Sequence, residues 1–597
     1  MKTETDVCEE TPTMDEDQVN SVIQRWRDTP EEDLKPEDYE QFRSLGSACL
    51  AENGAARILR FIEDEKNQQL MVSMGHTLVA PLVNEVVKKE KCPHHCQAAL
   101  THLTRICRPD ELLHSLLQII QDVHPTVISE TIITVVPLFQ TVLLELEERR
   151  AASVGLVLSA LLDQLVRLPV PHTEQQEVDD EFGLCHCCEV LAQFVKCLTE
   201  DVKRKDDDDE MRAELLQFCL RTLRELLLEA ELKQDRKLSP LWLFATEIMF
   251  YCPTLQATLV VVKASVSELL FYGSLRKSQC KESRACLAYL LFVQLITVDS
   301  FPAVFSPVFV LQCNMEYISQ LLSSKKESHL LKGLALCAKS LENVQDNRLP
   351  VSLLELPTFY SAPQNLRRIL TDCPMQHLRK SALHVFQLFI DKLDVEAKHK
   401  FFRCMLKTSS HAGVEGYIVK NIRNQVEFSM EPANGNKWFL GEEFLWLLAL
   451  VLCVPQAAET DLLNSMDRIM ESLNLLRYLV IRDKEPWSKT GVWAELCRIK
   501  DEYLKMLRVC IGLSRGYYSA ELNALREDQK LKAREARDAA RCGRLVSGMT
   551  VKHEKVSNMS PEVQRQVLQS ALVTFDLMES LIFRIDEITA ENLKIPT

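Results

Sequence analysis

Three features of the 597-residue chain predict an all-α fold. Glycine is scarce: there are 16, no two adjacent or separated by a single residue, and none between 184 and 272 or between 334 and 412. Apolar residues recur at spacings of three and four over long stretches, which sets them on one face of a helix. No comparable run alternates apolar and polar residues in the way a half-buried strand does. Thr258–Val262 and Phe305–Leu311 are strand-like by propensity, but both are embedded among helical patterns. Scattered glycine also removes the function classes that cradle phosphates or dinucleotides in glycine-rich turns.

Along the chain, residues 1–17 come first, with Glu4, Asp6, Glu9, Glu10, Asp15, Glu16 and Asp17. They are expected to form an acidic disordered extension; the basic start and apolar core of an export signal are missing. Two helical domains are expected next, 18–350 and 351–597. Between 378 and 393 the apolar stripe is Leu378, Ala382, Val385, Phe386, Phe389 and Leu393. Between 462 and 481 it is Leu462, Leu463, Met466, Ile469, Met470, Leu473, Leu476 and Leu479. Ser560-Pro561-Glu562 reads as a helix start, with an N-cap serine, proline at the first position and an acid in the first turn. Its stripe runs Val563, Val567, Leu568, Ala571, Phe575, Met578, Ile582 and Ile585. Connections are marked by prolines and charges at 168–181, 203–210, 345–364, 431–437, 484–491 and 542–560. The 345–364 segment, with Pro350, Pro357 and Pro363, reads as the domain boundary, and 526–560 as partly disordered. Helices of this length joined by short links predict HEAT- or armadillo-like pairs stacked in two halves, irregular because no fixed period is visible.

Composition narrows the classes further. At 46% hydrophobic residues the chain can bury a large core. Its 70 basic and 85 acidic residues give a net charge of −15, opposite to the basic footprint nucleic acid requires. Phe444–Pro455, read as the most lipid-like run, falls short of the roughly 20 residues of a membrane span and is expected to be a buried helix. The 21 cysteines are scattered along helical patterns rather than spaced as a disulfide framework. Reduced thiols packed as small hydrophobes, and a cytoplasmic location, follow as expectations. No cofactor is expected.

Several short motifs have chemical readings. Gly512-Leu513-Ser514-Arg515-Gly516 has the spacing of a hydrolase nucleophile, but that elbow needs a strand before it, and the preceding residues are helical in pattern. A helix–helix turn is the expectation. Gly543 and Gly548 have P-loop spacing without the lysine that reaches phosphate. Cys92-Pro93-His94-His95-Cys96 and Cys185-His186-Cys187-Cys188 contain zinc's ligand types but not the paired spacing of a structural site. Core packing is the main reading there, with structural zinc as the minor one. Lys203-Arg204-Lys205, followed by acids, reads as a solvated loop. Arg526 to Lys555 holds nine Lys/Arg against five Asp/Glu, a net of +4, with arginines 534, 537, 541 and 544 on one helical face. This is either a solvated helix end or a contact for an acidic partner.

The interval 411–439 differs. After His411-Ala412-Gly413, the stripe Val414, Ile418, Ile422 and Val426 leaves Lys420, Asn421, Arg423, Asn424 and Gln425 on the other faces. Asn436-Lys437-Trp438-Phe439 then places large aromatics beside a turn. Aromatic anchors next to arginine and amides suit a protein interface, while a solvated face and a core tryptophan fit as well.

In longer strings the chain resembles the glomulin family, proteins associated with FK506-binding proteins. The strings are Leu168-Pro169-Val170-Pro171, Phe182-Gly183-Leu184-Cys185, Phe401-Phe402-Arg403-Cys404, Gly413-Val414-Glu415, Asn436-Lys437-Trp438-Phe439, Ala458 to Leu463, Ser472 to Ile481 and Ser570 to Asp576. The resemblance extends from about residue 18 onward and is densest after 370. It implies a HEAT-like, non-enzymatic inhibitor of cullin-RING ubiquitin ligases that grips the RING-box subunit with its C-terminal half. It also implies ties to cullin complexes, FK506-binding immunophilins and vascular development. No function passes to residues 1–17 or 526–548. The RING-contacting residues expected from surface chemistry are Arg379, His411, Lys420, Asn421, Arg423, Asn424, Lys437 and Trp438. The alternatives are a HEAT-type adaptor for extended basic peptides, an immunophilin-binding scaffold, or an enzyme using Ser514 or a zinc site.

Overall fold

The computed structural model describes residues 16–88, 93–146, 149–204, 209–232, 239–250, 277–296, 306–454, 456–457, 460–482, 492–542 and 561–594. Among the described residues the regular elements are helical, apart from one isolated bridge between Leu349 and Leu393. The chain is all-α, with helices stacked as irregular HEAT/armadillo-like repeats, and it divides into two compact units, 1–340 and 341–597.

In the first unit the helices are short and their starts are chemically marked. Proline occupies the first turn of Pro36–Ala51, Pro109–Gln121 and Pro307–Leu322, where no backbone donor is lost. Ser306 caps the last of these by accepting from the Phe309 N–H. Pro109–Gln121 packs on Ile128–Glu145, which also meets Leu184–Arg204; Arg150–Leu165 packs on Asp209–Thr222; Lys277–Phe292 packs on Pro307–Leu322. After a π-helical turn at Leu223–Leu227, the buried Lys332 Nζ donates to the carbonyls of Leu228 (2.7 Å) and Ala230 (2.8 Å). A cation there satisfies helix-end acceptors that would otherwise be orphaned. Burial opposes ionisation of neighbouring Glu229, yet hydrogen bonds from Lys326 and Ser328 win and hold its pKa at about 2.

The second unit uses longer helices: α1 (Pro357–Asp372), α2 (Gln376–Lys392), α3 (Val395–Thr408), α4 (Ala412–Ser429), the single turn α5 (Lys437–Leu440), α6 (Glu442–Val451), α7 (Met466–Ile481), α8 (Val492–Cys542) and α9 (Pro561–Lys594). They form two layers. In one, α3 packs on α6 and α6 on α8; in the other, α4 packs on α7 and α7 on α9. Pairs α3/α4 and α8/α9 bridge the layers, and α1 packs on α2. The expected stripes supply the core: Leu378, Ala382, Val385, Phe386 and Phe389 of α2, and Ile469, Leu473, Leu476 and Leu479 of α7, are all buried.

Several expectations change. The proline-rich 345–364 segment is built into the second unit: Asn347 and Leu349 donate to the carbonyls of Asp391 and Lys392, Pro357 opens α1 and Pro363 lies within it. The division falls earlier, after Ser340. Residues Glu16 and Asp17 already belong to the first helix, and the rest of the acidic extension lies outside the described residues. Of 526–560, residues 526–542 are helical; 543–560, including Gly543 and Gly548, are outside. Phe305–Leu311 turns helical from Pro307, and 258–262 is outside. The Ser514 motif is mid-helix in α8, not at a turn, so it has none of the strain a nucleophile elbow needs. The 168–181 connection contains a helix, Glu174–Asp179, started by a capping box between Thr173 and Gln176. Phe444–Pro455 contributes α6 and buries Phe444, Leu447 and Leu448, but Trp446 is 64% exposed. Longer apolar stretches are Glu65–Lys88 and Pro125–Glu145, long enough to cross a membrane, with 67% and 56% of their apolar windows buried inside the protein.

The described cysteines of both clusters pack into the core, and Cys92 lies outside the described residues. Cys96, Cys185, Cys187 and Cys188 are buried, and no group of three metal-ligating residues occurs among the described residues. Burial pushes the thiols of Cys185 and Cys187 up to about 12 and that of Cys188 well upward. Thiols buried in this way pack as small hydrophobes. Chelation with EDTA is therefore expected to leave the thermal melt unmoved; a lowered melting temperature, restored by zinc, would return the site to the metal reading.

Candidate partner-binding face

The interval flagged in the sequence is α4, the turn after it and α5. Its position is fixed from beneath. Val414, Ile418, Ile422 and Val426 are buried as expected. Between them Glu415, 8% exposed, pairs with Arg468 of α7, 10% exposed, at 3.0 Å, and Arg468 also donates to the Leu450 carbonyl at the end of α6 (2.8 Å). One guanidinium thus ties three helices together. Gly416 lets the α4 and α7 backbones approach: a Cβ there would lie 2.9 Å from the Asp467 carbonyl oxygen.

On its other flank α4 is tied to α2 by amides. Gln387 donates to Asn421 Oδ1 (3.0 Å), Tyr417 O–H donates to Gln387 Oε1 (2.5 Å), and Asn421 Nδ2 donates to the Tyr417 carbonyl (3.0 Å). Asn421 is 4% exposed, so its amide is consumed by the fold and is withdrawn from the expected contact set. Half-buried Arg379 donates through Nη1 to the Cys373 (2.6 Å) and Pro374 (2.9 Å) carbonyls of the α1–α2 loop. Lys420 and Asn424 stay exposed one turn apart on the outer face of α4, with half-buried Arg423 beside them. His411 is exposed at the opposite end of the helix, its ring lying over Gly413.

The turn is organised by Asn436. Its Oδ1 accepts from the backbone N–H groups of Trp438 (3.1 Å) and Phe439 (3.0 Å), and its Nδ2 donates to Ser429 at the end of α4 (2.7 Å). Phe439 is buried; Trp438 is half-buried, with the ring of His399 5.3 Å away and Lys437 Nζ 5.0 Å over its face. His399 bonds the Glu443 carbonyl through Nε2 (3.0 Å), which makes Nε2 the protonated nitrogen, and Nδ1 is buried without a partner. A second proton would have no acceptor. Burial accordingly lowers the His399 pKa, with Arg403 and Lys400 acting the same way and Glu443 opposing them.

Periodicity did not expose a further group at the end of α7. Arg482 lies 5.4 Å over the Tyr478 ring and 3.8 Å from Glu427 of α4. Ile481 is exposed beside them, and Phe428 on α4 is exposed too. Tyrosine, arginine and aliphatic groups at one surface have the composition of binding hot spots. The available signal was the end of the 462–481 stripe, where Tyr478 lies off its face just before Leu479 and Arg482 follows it. In chemical terms the face offers guanidinium and ammonium donors, amides and aromatic surface, with no arrangement for proton or group transfer.

Comparison with known proteins follows the same course. A family profile described as an uncharacterised protein family, YAP/Alf4/glomulin, matches residues 14–269 and 255–571. Glomulin of Mus musculus is 39% identical over 586 residues, covering 96% of this chain and 97% of that protein. This chain belongs to the glomulin family. Glomulin of Homo sapiens is 38% identical over 588 residues with the same coverage. The glomulin profile spans residues of both units, so the first unit belongs to the family as fully as the second. A solved circular tandem repeat protein aligns with 96% of this chain and 98% of its own at 11% identity, but its TM-score of 0.16 assigns nothing.

Two outcomes follow for this glomulin-family face. Glu415→Ala strands the buried Arg468 charge and is expected to destabilise the second unit by about 3–5 kcal/mol, read by chemical denaturation. An unchanged midpoint would contradict the bracing role. His399 has a folded pKa below its unfolded value of 6.5, so the unfolded chain binds the extra proton first and stability falls as pH drops below that value. His399→Gln keeps a donor but cannot titrate, and is expected to lose less melting temperature between pH 7.5 and 5.5 than the parent chain.

Proposed function

We propose that this protein is a non-catalytic inhibitor of cullin-RING ubiquitin ligases that binds the RING-box subunit and blocks recruitment of the ubiquitin-conjugating enzyme. The observation that carries the reading is the near full-length relationship to the mouse and human glomulins. The geometry supports it with an exposed patch on the second unit. Lys420, Arg423 and Asn424 of α4, Tyr478 and Arg482 at the end of α7, and the Lys437–Trp438 pair supply donors and aromatic anchors on braced helices. Such a patch inhibits by occupancy: a RING presents one surface to the conjugating enzyme, and a rigid body on that surface excludes it. An interface of about 1,600 Å² is enough for a stable complex, and no bond is made or broken.

Occupancy sets the kinetics. Inhibition is stoichiometric with ligase, saturates at one inhibitor per RING-box subunit and is relieved by raising the concentration of conjugating enzyme. Ser514, mid-helix in α8, takes no part.

The experiment is binding of the full chain to the purified RING-box subunit, followed by a ubiquitin-chain assay. The pair Tyr478→Phe/Arg482→Glu is expected to weaken binding at least tenfold, or about 1.4 kcal/mol, with a nearly unchanged melt, because phenylalanine keeps the packing of the half-buried Tyr478 ring and Arg482 is exposed. Ser514→Ala is expected to inhibit fully. Binding that survives the pair moves the contact elsewhere on the second unit. An absence of binding by the parent chain overturns the proposal.

A further inference from the structure

His399 occupies a place in the second unit where a proton cannot be added without movement, and the element that covers it carries Trp438. The imidazole is 1% exposed. Its Nε2–H is spent on the Glu443 carbonyl at the start of α6 (3.0 Å), and Nδ1 is buried with no hydrogen-bond partner. Trp438 and Phe439 of α5 lie against the ring, with centroids 5.3 and 5.9 Å away. A protonated Nδ1 would be a buried donor without an acceptor, which a fold tolerates only by admitting water. The charged groups around it do not supply that acceptor. Beyond burial itself, Arg403 and Lys400 of α3 oppose a positive charge there, and Glu443 of α6 favours it. Lys400 is also paired with Glu396 (3.0 Å), and Lys437 of α5 stands over the Trp438 ring. On α4, which also packs on α3, the buried acid Glu415 is already paired with Arg468.

Water must then enter past one of the covering elements, and α5 resists least. α3 and α6 are helices of 14 and 10 residues with buried apolar faces, whereas α5 is a single turn. It is closed by the Leu440 N–H donating to the Asn436 carbonyl (3.1 Å) and the Gly441 N–H donating to the Lys437 carbonyl (3.0 Å). Gly435 and Gly441 bracket it, and a Cβ at Gly435 would meet nothing within 4 Å, so the chain on that side is free to swing.

We infer that His399 is a proton-operated latch on the 436–441 turn: neutral, it holds Trp438 in place, and a proton on Nδ1 releases the turn and withdraws the Lys437–Trp438 pair from a partner. The latch stands on the geometry of α3, α5 and α6; its control of a partner rests on the proposed RING contact. In the open turn the imidazole regains its ordinary pKa of 6.5, whereas burial holds it lower in the closed turn. Acid therefore favours the open form. Below pH 6.5 each unit of pH raises the open-to-closed ratio about tenfold, until the closed form takes up the proton as well. Opening also exposes Phe439, so the closed turn is the resting state at neutral pH.

The test is hydrogen–deuterium exchange on the full chain at pH 7.5 and 5.5, with rates corrected for intrinsic chemistry, in the parent and in His399→Gln. Between the two pH values the parent is expected to lose about tenfold in protection at Leu440 and Gly441, while the amides of α7 lose less. His399→Gln, which keeps a donor but cannot titrate, is expected to show no such local loss. An equal loss in both chains, a loss spread evenly through α7, or no loss at all overturns the latch. Saturating RING-box subunit at pH 5.5 is expected to restore protection at Leu440 and Gly441. Protection that stays low in a formed complex overturns the control of a partner and leaves the latch standing. Absence of any complex at pH 7.5 overturns the RING reading, and that control with it.

Discussion

The second unit depends on one buried ion pair. Glu415 and Arg468 are nearly inaccessible to water, and desolvating two charges is costly unless the remaining hydrogen-bonding capacity is used. Arg468 uses part of it by reaching the open Leu450 carbonyl at the end of α6, so the pair also terminates a neighbouring helix, while its Nε is buried without a partner. The contact is geometrically demanding. It requires the α4 and α7 backbones to come close, and Gly416 over the Asp467 carbonyl is what allows this. With those helices locked, the residues left outside, Lys420, Asn424, Tyr478 and Arg482, are held on a rigid base. A surface that works by occupancy needs that, since disorder in the patch would have to be overcome on every binding event.

A different economy governs the turn above α5. Asn436 spends its whole amide on the local chain, capping α5 and holding the end of α4. Trp438 packs partly on buried, neutral His399 and partly offers its face to Lys437. The tryptophan is both structural and exposed, as both readings of the 411–439 interval required in part.

Much of the fold was legible because helical periodicity reports burial directly. The stripes at 378–393 and 462–481 became core faces of α2 and α7, since residues three and four apart share a side whatever packs on it. Proline was misleading at 345–364: Pro357 starts a helix instead of breaking one, and Pro363 sits within the same helix's first two turns. The Ser514 motif was expected at a helix–helix turn, yet α8 runs straight through Gly512 and Gly516. In the candidate face the sequence located the helix but not the roles. Asn421 read as a surface donor, and the structure spends its amide internally, because nothing in a residue's identity says whether an acceptor awaits it in three dimensions; Arg379 spends one of its nitrogens on the α1–α2 loop. Tyr478 and Arg482 escaped notice for the converse reason: exposure at the end of a stripe depends on how far the neighbouring helix extends. Lys420 and Asn424, midway along an outer face, were placed correctly by spacing alone.

Family membership and surface chemistry together make the second unit the place where a partner should leave its footprint. The most direct measurement is hydrogen–deuterium exchange on the full chain, alone and with the RING-box subunit. Added protection concentrated in α4, the 431–440 turn and the end of α7, with α8 unchanged, is the result this account predicts. Protection confined to residues 1–340, or none anywhere at saturating RING-box subunit, would contradict it.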